Sequence, residues 1–559
     1  MRSSWWWVLV GVGSLGCPSD GGDTAGGTET GLTAGSGTPG NTSSGGASGT
    51  VDASGAGSEA SVDSTGASTG NGIKFDLARA DDVEDTGPPV DACSVLDDMN
   101  AVGECDDEAP PDSFEPVEQW SYTPAGEAQS YVTPLVANLT DDNDDGVIDL
   151  CDVPDVVLVA GASTAGYNAV GHIYVLDGAT GTLHFQVPAE VHGNVTPAIG
   201  DVDDDGIPEI ATLTPAGAFV LFEHDGTQVW ETPTTWINGE QSQPLSYSAA
   251  AAIANLDNAG APEIIVGNQV INADGTGLLV LPDVSGQWSA TAAADMDGDG
   301  DLEVVLGHAV YQHDGALLWD SGLAAGYPQI ADLDGDMLPE VLLTNTNGLA
   351  LIEHDGTVAF SGLTPTMNPA GFTTWLRPAT IHDFDGDGAP EFATSSANDY
   401  TVYEADATIL WTAPVQDSSG IAAGTAFDFL GDGVAEAMYA DETNMFVFDG
   451  TGAVLLQVPR GSGTLSEYPT VADLDNDGSA EIAFVSNSGI APTLQVTADV
   501  QDRWIQARRI WNQHTYHVTN VREDGTIPVF EAPHWESLNT FRTNAQIQGG
   551  ELCVPRPPG

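Results

Sequence analysis

Lysine is almost absent from this chain. Lys74 is the only one, and Lys and Arg together number 11 against 83 Asp and Glu, a formal charge of −72 over 559 residues. Schiff-base, lysine-base and P-loop lysine chemistry are therefore unavailable elsewhere in the chain. Nucleic acid is excluded as a general partner, because phosphate binding needs neutralising cations and this surface repels polyanions. Long apolar runs are scarce too. The N-terminal stretch from Trp5 to Leu15 is too short to span a bilayer as a helix. From residue 73 onward the chain has no G-x-S-x-G elbow, no H-E-x-x-H pair and no dinucleotide fingerprint. No catalytic residue is assigned.

What is present begins with an export signal over residues 1–17: Arg2, the apolar stretch, then Ser14-Leu15-Gly16-Cys17. Small residues before a cysteine that opens a polar tract resemble a bacterial lipoprotein signal, with Leu15 one place later than usual; an ordinary secretory signal is the alternative. The expected location is the outer membrane or cell surface, or else the medium, with membrane contact only through a lipid on Cys17. Residues 18–72 are mostly Gly, Ser, Thr, Ala and Asp without an aromatic, and Leu32, Val51 and Val62 are the only larger aliphatics. They cannot bury enough surface to offset chain entropy, and as a flexible coil would reach roughly 40 Å. Residues 73–117 read as a Cys-containing, Asp- and Pro-rich collar. Setting Cys17 aside, Cys93, Cys105, Cys151 and Cys553 allow three pairings. Proximity favours Cys93–Cys105, which leaves Cys151–Cys553.

Residues 118–502 repeat a unit: a short apolar run, an Asp-rich loop, an acid opening a second run, a Gly turn, a third run, Asp-Gly, and a fourth run often holding Trp. Residues 328–362 are one copy. The loops begin at Asp141, Asp201, Asn255, Asp295, Asp332, Asp383, Asp428 and Asp473, 37 to 60 residues apart. Four strand-like runs between successive loops, with no sustained helical period, predict an all-β fold. The expectation is a β-propeller of eight four-stranded blades, with seven as the alternative.

Five loops read D-x-D-x-D-x-x-x-E in full: Asp201, Asp203, Asp205 and Glu209; Asp295, Asp297, Asp299 and Glu303; Asp332, Asp334, Asp336 and Glu340; Asp383, Asp385, Asp387 and Glu391; Asp473, Asp475, Asp477 and Glu481. The first loop is a variant with Asp141, Asn143, Asp145 and Asp149. Alternate carboxylates in a tight turn point into one concavity. Glycine at the sixth place permits the positive φ that curls the chain, and Met337 is the exception among the full loops. Two carboxylates about 4 Å apart repel by about 1 kcal/mol in water and about 4 kcal/mol at an effective dielectric of 20, so converging carboxylates call for a cation. All-oxygen ligation in an extracellular setting points to several structural Ca²⁺ ions. The acid at place nine instead of twelve, followed by β-type sequence, separates these loops from EF-hands. The loops at Asn255, with Ala259, and at Asp428, with Leu430, lack ligands and are expected to bind weakly or not at all.

These loops, together with the Gly-Ala-Pro pieces at 260–262 and 388–390, resemble the FG-GAP/VCBS repeats of integrin-α-like β-propellers. The resemblance covers roughly residues 130–500 and implies a rigid extracellular disc stiffened by Ca²⁺. The Phe-Gly dipeptides of that family are missing, so integrin ligand specificity is not carried over.

Residues 503–559 break the repeat and hold six of the eleven cations: Arg503, Arg508, Arg509, Arg522, Arg542 and Arg556. His514, Tyr516, His517 and His534 give this stretch its only concentration of acid/base groups. It is read as a closing segment that packs Trp504, Ile510 and Trp511 against the ring, offsets carboxylates with its arginines, and folds back on the first blade. His514 and His517, three residues apart, have no cysteine or carboxylate at ligand spacing and are not read as a metal site. Trp230, Trp319 and Trp411 recur at one phase and read as core. The expected function is a non-catalytic binding or adhesion module for an extracellular protein or glycan. The alternative is a calcium-dependent, lyase-like polysaccharide-degrading enzyme, against which stands the shortage of cations to neutralise a uronate: only Arg377 and Arg460 between 119 and 502.

Overall fold

The computed structural model describes residues 93–95, 103–110, 113–162, 169–233, 248–282, 288–366, 376–417 and 422–555. The expected signal, Cys17, the linker and much of the collar lie outside the described residues. Eight sheets follow one another along the chain, and none closes on itself. Each is built on four antiparallel strands, over residues 135–186, 198–231, 248–280, 292–320, 326–363, 380–414 and 424–459, and then Thr470–Ala472, Glu481–Val485 and Leu494–Asp499. The eighth sheet takes its fourth strand from the other end of the chain: Pro116–Tyr122 pairs antiparallel with Leu494–Asp499. The described residues contain one helix, His534–Ser537.

Sequence and burial correspond strand by strand. The second strands, such as Asp155–Ala160, Glu340–Asn345 and Glu481–Val485, are buried throughout, which suits their near-continuous apolar runs. The fourth strands, such as Gln228–Glu231 and Val358–Leu363, lie at the edge and are mostly exposed. Trp120, Trp230, Trp319 and Trp411 stand on fourth strands and cover a turn of another sheet, where Gly181, Gly275, Gly356 and Gly452 make room; a Cβ at any of these glycines would come within 3.0 Å of the tryptophan. Nε1 of Trp120, Trp230 and Trp319 donates to the carbonyls of Gly178, Ala273 and His354. Trp319 and Trp411 are buried as expected and Trp230 is half-buried. In each case the turn belongs to the next sheet in order, and Trp120 of the eighth sheet covers the first. One cluster of buried residues accordingly joins Leu135, Val157 and Leu176 of the first sheet to Leu474, Val485 and Val496 of the eighth.

Gly181 lies at φ 66° with its would-be Cβ 2.3 Å from Trp120 Cε3, whereas Gly126, at φ 85°, has nothing within 4 Å. Gly126→Ala is expected to cost about 1 kcal/mol of backbone strain, and Gly181→Val about 3 kcal/mol or more, because it also displaces the tryptophan. Equal losses in urea titrations of the two variants would contradict this contact between the eighth sheet and the first.

The C-terminal segment reaches the innermost edge of every sheet. Trp511 exchanges backbone hydrogen bonds with Val136, Asn512 accepts from Ile199 N–H, the Gln513 side chain accepts from Ile253 N–H, and Thr515 Oγ donates to Thr291 O. Further along, His534 Nε2 donates to Ile330 O, Phe541 exchanges bonds with Ile381, Arg542 O accepts from Thr425 Oγ, and Asn544 donates to Val471 O. Sheets one to eight are met in chain order. First strands leave a row of unpaired N–H and C=O groups, and this segment meets one or two of them at each sheet. The expectation of a fold back onto the first repeat alone is thus too narrow.

The expected role of the arginines holds in part. Arg509 pairs with Glu523 at 2.8 Å and Arg503 with Asp499 at 2.7 Å. Arg508 and Arg542 are fully buried and donate to backbone carbonyls instead, those of Val518 and Val521 and those of Ala379 and Pro328. The disulfides differ from the expected pairing. Cys93 is bonded to Cys151 and Cys105 to Cys553. Residues 103–104 lie parallel to 553–554 as a strand, which carries Cys105 to the C-terminus, while Cys93 O accepts from Leu150 N–H beside Cys151.

Candidate metal-binding loops

The acidic loops share one backbone design. In all eight, the fourth and sixth places have positive φ: Asp144 and Gly146, Asp204 and Gly206, Asn258 and Gly260, Gly298 and Gly300, Gly335 and Met337, Gly386 and Gly388, Gly431 and Gly433, Asn476 and Gly478. Met337 adopts φ 71° without being glycine. The requirement at place four was missed at the sequence level, although its signal was there: only Asp, Asn and Gly occur at it, the residues that tolerate this conformation. The opening Asp takes the sixth-place N–H, as in Asp201 with Gly206 at 3.0 Å and Asp383 with Gly388 at 2.8 Å.

From the second loop onward, the ninth-place Glu opens the second strand and turns back into the loop. One of its oxygens accepts the N–H of place two, at 2.7 to 3.0 Å, for Glu209, Glu263, Glu303, Glu340, Glu391, Glu436 and Glu481. The other oxygen of Glu209, Glu340 and Glu481 is buried with no hydrogen-bond partner among the described residues. A buried, unpartnered carboxylate oxygen is costly unless a cation meets it. Without a counterion, burial, reinforced by the neighbouring aspartates, pushes Glu209, Glu303, Glu340 and Glu391 up to about 8. Carboxylate oxygens of Asp383, Asp385, Asp387 and Glu391 lie within 4.8 Å of one another, as do those of Asp201, Asp203 and Glu209. The donor set is all oxygen and the spacing suits a hard divalent ion. Asp295, Asp297, Asp299 and Glu303, and Asp332, Asp334, Asp336 and Glu340, sit on the same frame. In the loop of Asp473, Asp475, Asp477 and Glu481, amide donors reach the carboxylates: Gln506 to Asp473 at 2.9 Å and Gln119 to Asp475 at 2.6 Å. Burial pushes Asp473 and Asp477 up to about 7.

The first loop is framed differently from the sequence expectation. Leu139 N–H donates to Asp155 at 2.9 Å, and Asp155 stands opposite Ala137 as Glu209 stands opposite Gly200. Asn138 and Asp155 therefore occupy places one and nine, with a long insertion between them. Asp141, Asn143, Asp145 and Asp149 form a turn inside that insertion, with Asp141 accepting from Asp145 and Gly146 N–H. The fully buried Asp152, overlooked in the sequence, accepts from Asp142, Asn143 and Asp149 N–H. Counted from Asp141 it is the twelfth residue, so this loop alone has an acid at the EF-hand closing place, though β structure follows it. The Cys93–Cys151 bridge pins it.

The two degraded loops have other partners. Asn255 donates to Gly260 O at 3.0 Å and Asn258 to Asp301 at 2.8 Å, so amides hold this turn together. In the loop of Asp428, Leu430 O accepts from Ala109 N–H, and Gly431 lies close beneath Asp107. The segment leading from Cys105 covers it. Between the second and third sheets a cavity of about 670 Å³ is floored by Leu221, Val229 and Trp230 and edged by Asp203, Glu223 and Asp257.

The histidines expected as acid/base candidates are internal. His514, His517 and His534 are fully buried, and burial drives His514 and His534 well below the usual histidine value. Arg377 and Arg460 are likewise buried, paired with Asp417 and Glu467 at 3.0 Å each.

Residues 332–394, from the fifth acidic loop into the sixth sheet, match the family model of the FG-GAP-like repeat. Among solved structures, the V. cholerae biofilm matrix protein Bap1 is similar, with a TM-score of 0.66 and 21% identity over 79% of this chain and 100% of that one; this is a likeness of fold. A rhamnogalacturonan lyase of Bacillus licheniformis gives a TM-score of 0.48 and 16% identity over 79% of this chain and 84% of that one, too distant to argue from. No curated protein matches the sequence. The two disulfides suit an oxidising, extracellular setting. No helix among the described residues is long and apolar enough to cross a membrane.

Proposed function

We propose that the protein is an exported, surface-anchored β-propeller of eight blades, stiffened by Ca²⁺, which binds an extracellular protein or glycan without catalysis. The ring is supported by the contacts that lead from sheet to sheet and return from the eighth to the first, around a C-terminal segment that meets all eight. Ca²⁺ would be held by the carboxylates of the five full loops and of the Asp141 turn, where its charge relieves the repulsion among them. Anchoring would rest on a lipid at Cys17. The likeness in fold to a biofilm matrix protein fits a matrix or adhesion role.

The observation that carries the non-catalytic reading is the burial of His514, His517 and His534, since the one concentration of acid/base groups is closed to a substrate. The burial of Arg377 and Arg460 leaves a uronate without a neutralising partner in the repeats. The groove of Trp230 offers a partner an apolar floor beside two acidic loops.

The test is to apply the full chain, with Ca²⁺ and with EDTA, to a glycan array, a set of uronate polymers and extracellular-matrix proteins. Retention of a glycan or protein with Ca²⁺, lost in EDTA and without chain cleavage, is expected. Accumulation of unsaturated uronate ends would overturn the reading in favour of a lyase.

A further inference from the structure

His517 and His534 stand where the C-terminal segment leaves its path between the fourth and fifth sheets and where it returns. Thr515 reaches Thr291, and His534 itself reaches Ile330. The ring centroids are 4.5 Å apart, and His517 stacks on Phe541 at 5.6 Å while His534 meets the Trp535 ring at 5.0 Å. Glu531 stands three residues before His534 and fourteen beyond His517, and the return of the chain brings it to His517.

Each imidazole gives its one N–H to a backbone carbonyl. His517 Nδ1 lies 3.0 Å from Thr515 O, and His534 Nε2 lies 2.9 Å from Ile330 O. A carbonyl only accepts, so the tautomers are set, and His517 Nε2 and His534 Nδ1 are left as lone pairs. His517 Nε2 lies 2.6 Å from Glu531 Oε1, and the fully buried His534 Nδ1 has no hydrogen-bond partner among the described residues. A ring nitrogen of each histidine and a Glu531 oxygen all lie within 4.8 Å of one another. Thr519 Oγ, 3.2 Å from Glu531 Oε1, is the one donor among the described residues bonded to the carboxylate apart from the ring. A proton shared by His517 and Glu531 would satisfy that pair and leave His534 bare. A divalent metal would satisfy all three. Metal-binding histidines characteristically spend their other N–H on a carbonyl or carboxylate in this way.

We propose that His517, Glu531 and His534 bind a divalent transition metal, Zn²⁺ by the choice of two imidazoles and one carboxylate, which fastens the excursion 518–533 at its two ends. Nitrogen ligands and a buried three-ligand set separate this site from the all-oxygen loops. Burial keeps His534 neutral, the form that ligates. The site stands independently of the calcium reading.

The test uses the full chain stripped of metal, saturated with Ca²⁺ to fill the carboxylate loops, and titrated with Co²⁺. One equivalent is expected to give the intense visible absorption of a four-coordinate, nitrogen-ligated ion, with the fourth place taken by water, and one equivalent of Zn²⁺ should abolish it. Glu531→Gln and His534→Gln should each lose that equivalent while Ca²⁺ still raises the melting temperature. If His534→Gln fails to fold, Glu531→Gln, at the outer edge of the cluster, decides. Absence of the band in the wild type, or its persistence in Glu531→Gln, overturns the proposal and leaves a proton-held His517–Glu531 pair.

Discussion

Removing Ca²⁺ with EDTA is expected to lower the melting temperature by on the order of 10 °C or more. Each site filled at a hundredfold excess over its Kd stabilises by about 2.7 kcal/mol, and five such sites act together. A body of this size shifts by roughly 1 °C per kcal/mol. The chelated protein should also respond to pH in a particular direction. Glu209, Glu303, Glu340 and Glu391 have folded-state values raised from 4.5 to about 8, chiefly by burial. Between those two values the folded chain binds more protons than the unfolded chain, so stability falls as pH rises. The ion-free protein should therefore be most resistant to urea near pH 5, with respect to these groups, and weaken progressively toward pH 8. Ca²⁺ replaces the protons, so the loaded protein should show little of this decline and should release protons on binding at pH 7. A chelated protein equally stable at pH 5 and pH 8 would contradict the account of the buried glutamates.

Loss of the Cys105–Cys553 bridge is the second large effect expected. It closes 448 residues, against 58 for Cys93–Cys151. In the chain-entropy model those separations correspond to about 6 and about 4 kcal/mol, which real proteins often do not reach in full. Replacing Cys105 and Cys553 together by alanine should therefore destabilise more than replacing Cys93 and Cys151. The effect should also be local. The strand at 551–554 and the segment 103–110 over the Asp428 loop should gain fast hydrogen exchange, while the first loop should do so in the other variant. Non-reducing peptide mapping checks the connectivity itself. A Cys93–Cys105 peptide, or a larger loss from the shorter bridge, would contradict this arrangement.

The repeat was legible because its signals are local. Acid, glycine and apolar run recur in order, and the buried second strands match stretches such as EVLLTN and EIAFV. What proximity in sequence could not convey is proximity around the molecule. Cys105 is near Cys93 along the chain, yet the parallel pairing of residues 103–104 with 553–554 delivers it to the C-terminus. The first loop was framed on Asp141 because its D-x-N-x-D-G turn is the visible pattern. The ladder that places Asp155 opposite Ala137 is a property of the paired strands and leaves no such mark. Arg508 and Arg542 read as partners of carboxylates on charge alone, whereas Arg508 meets the carbonyls of Val518 and Val521 within the C-terminal segment and Arg542 meets those of Ala379 and Pro328 at the sixth and fifth sheets. Glu531 escaped for a similar reason, since its approach to His517 depends on the return of the excursion to the fifth sheet.

The central claim, that the repeated carboxylate loops are calcium sites, is tested most directly by counting bound Ca²⁺ on the full chain by equilibrium dialysis. About five or six ions per chain are predicted, one for each complete loop and one for the Asp141 turn, and Asp332→Asn combined with Glu340→Gln should remove one of them. Binding of no Ca²⁺, or a count unchanged by that double substitution, would contradict the account.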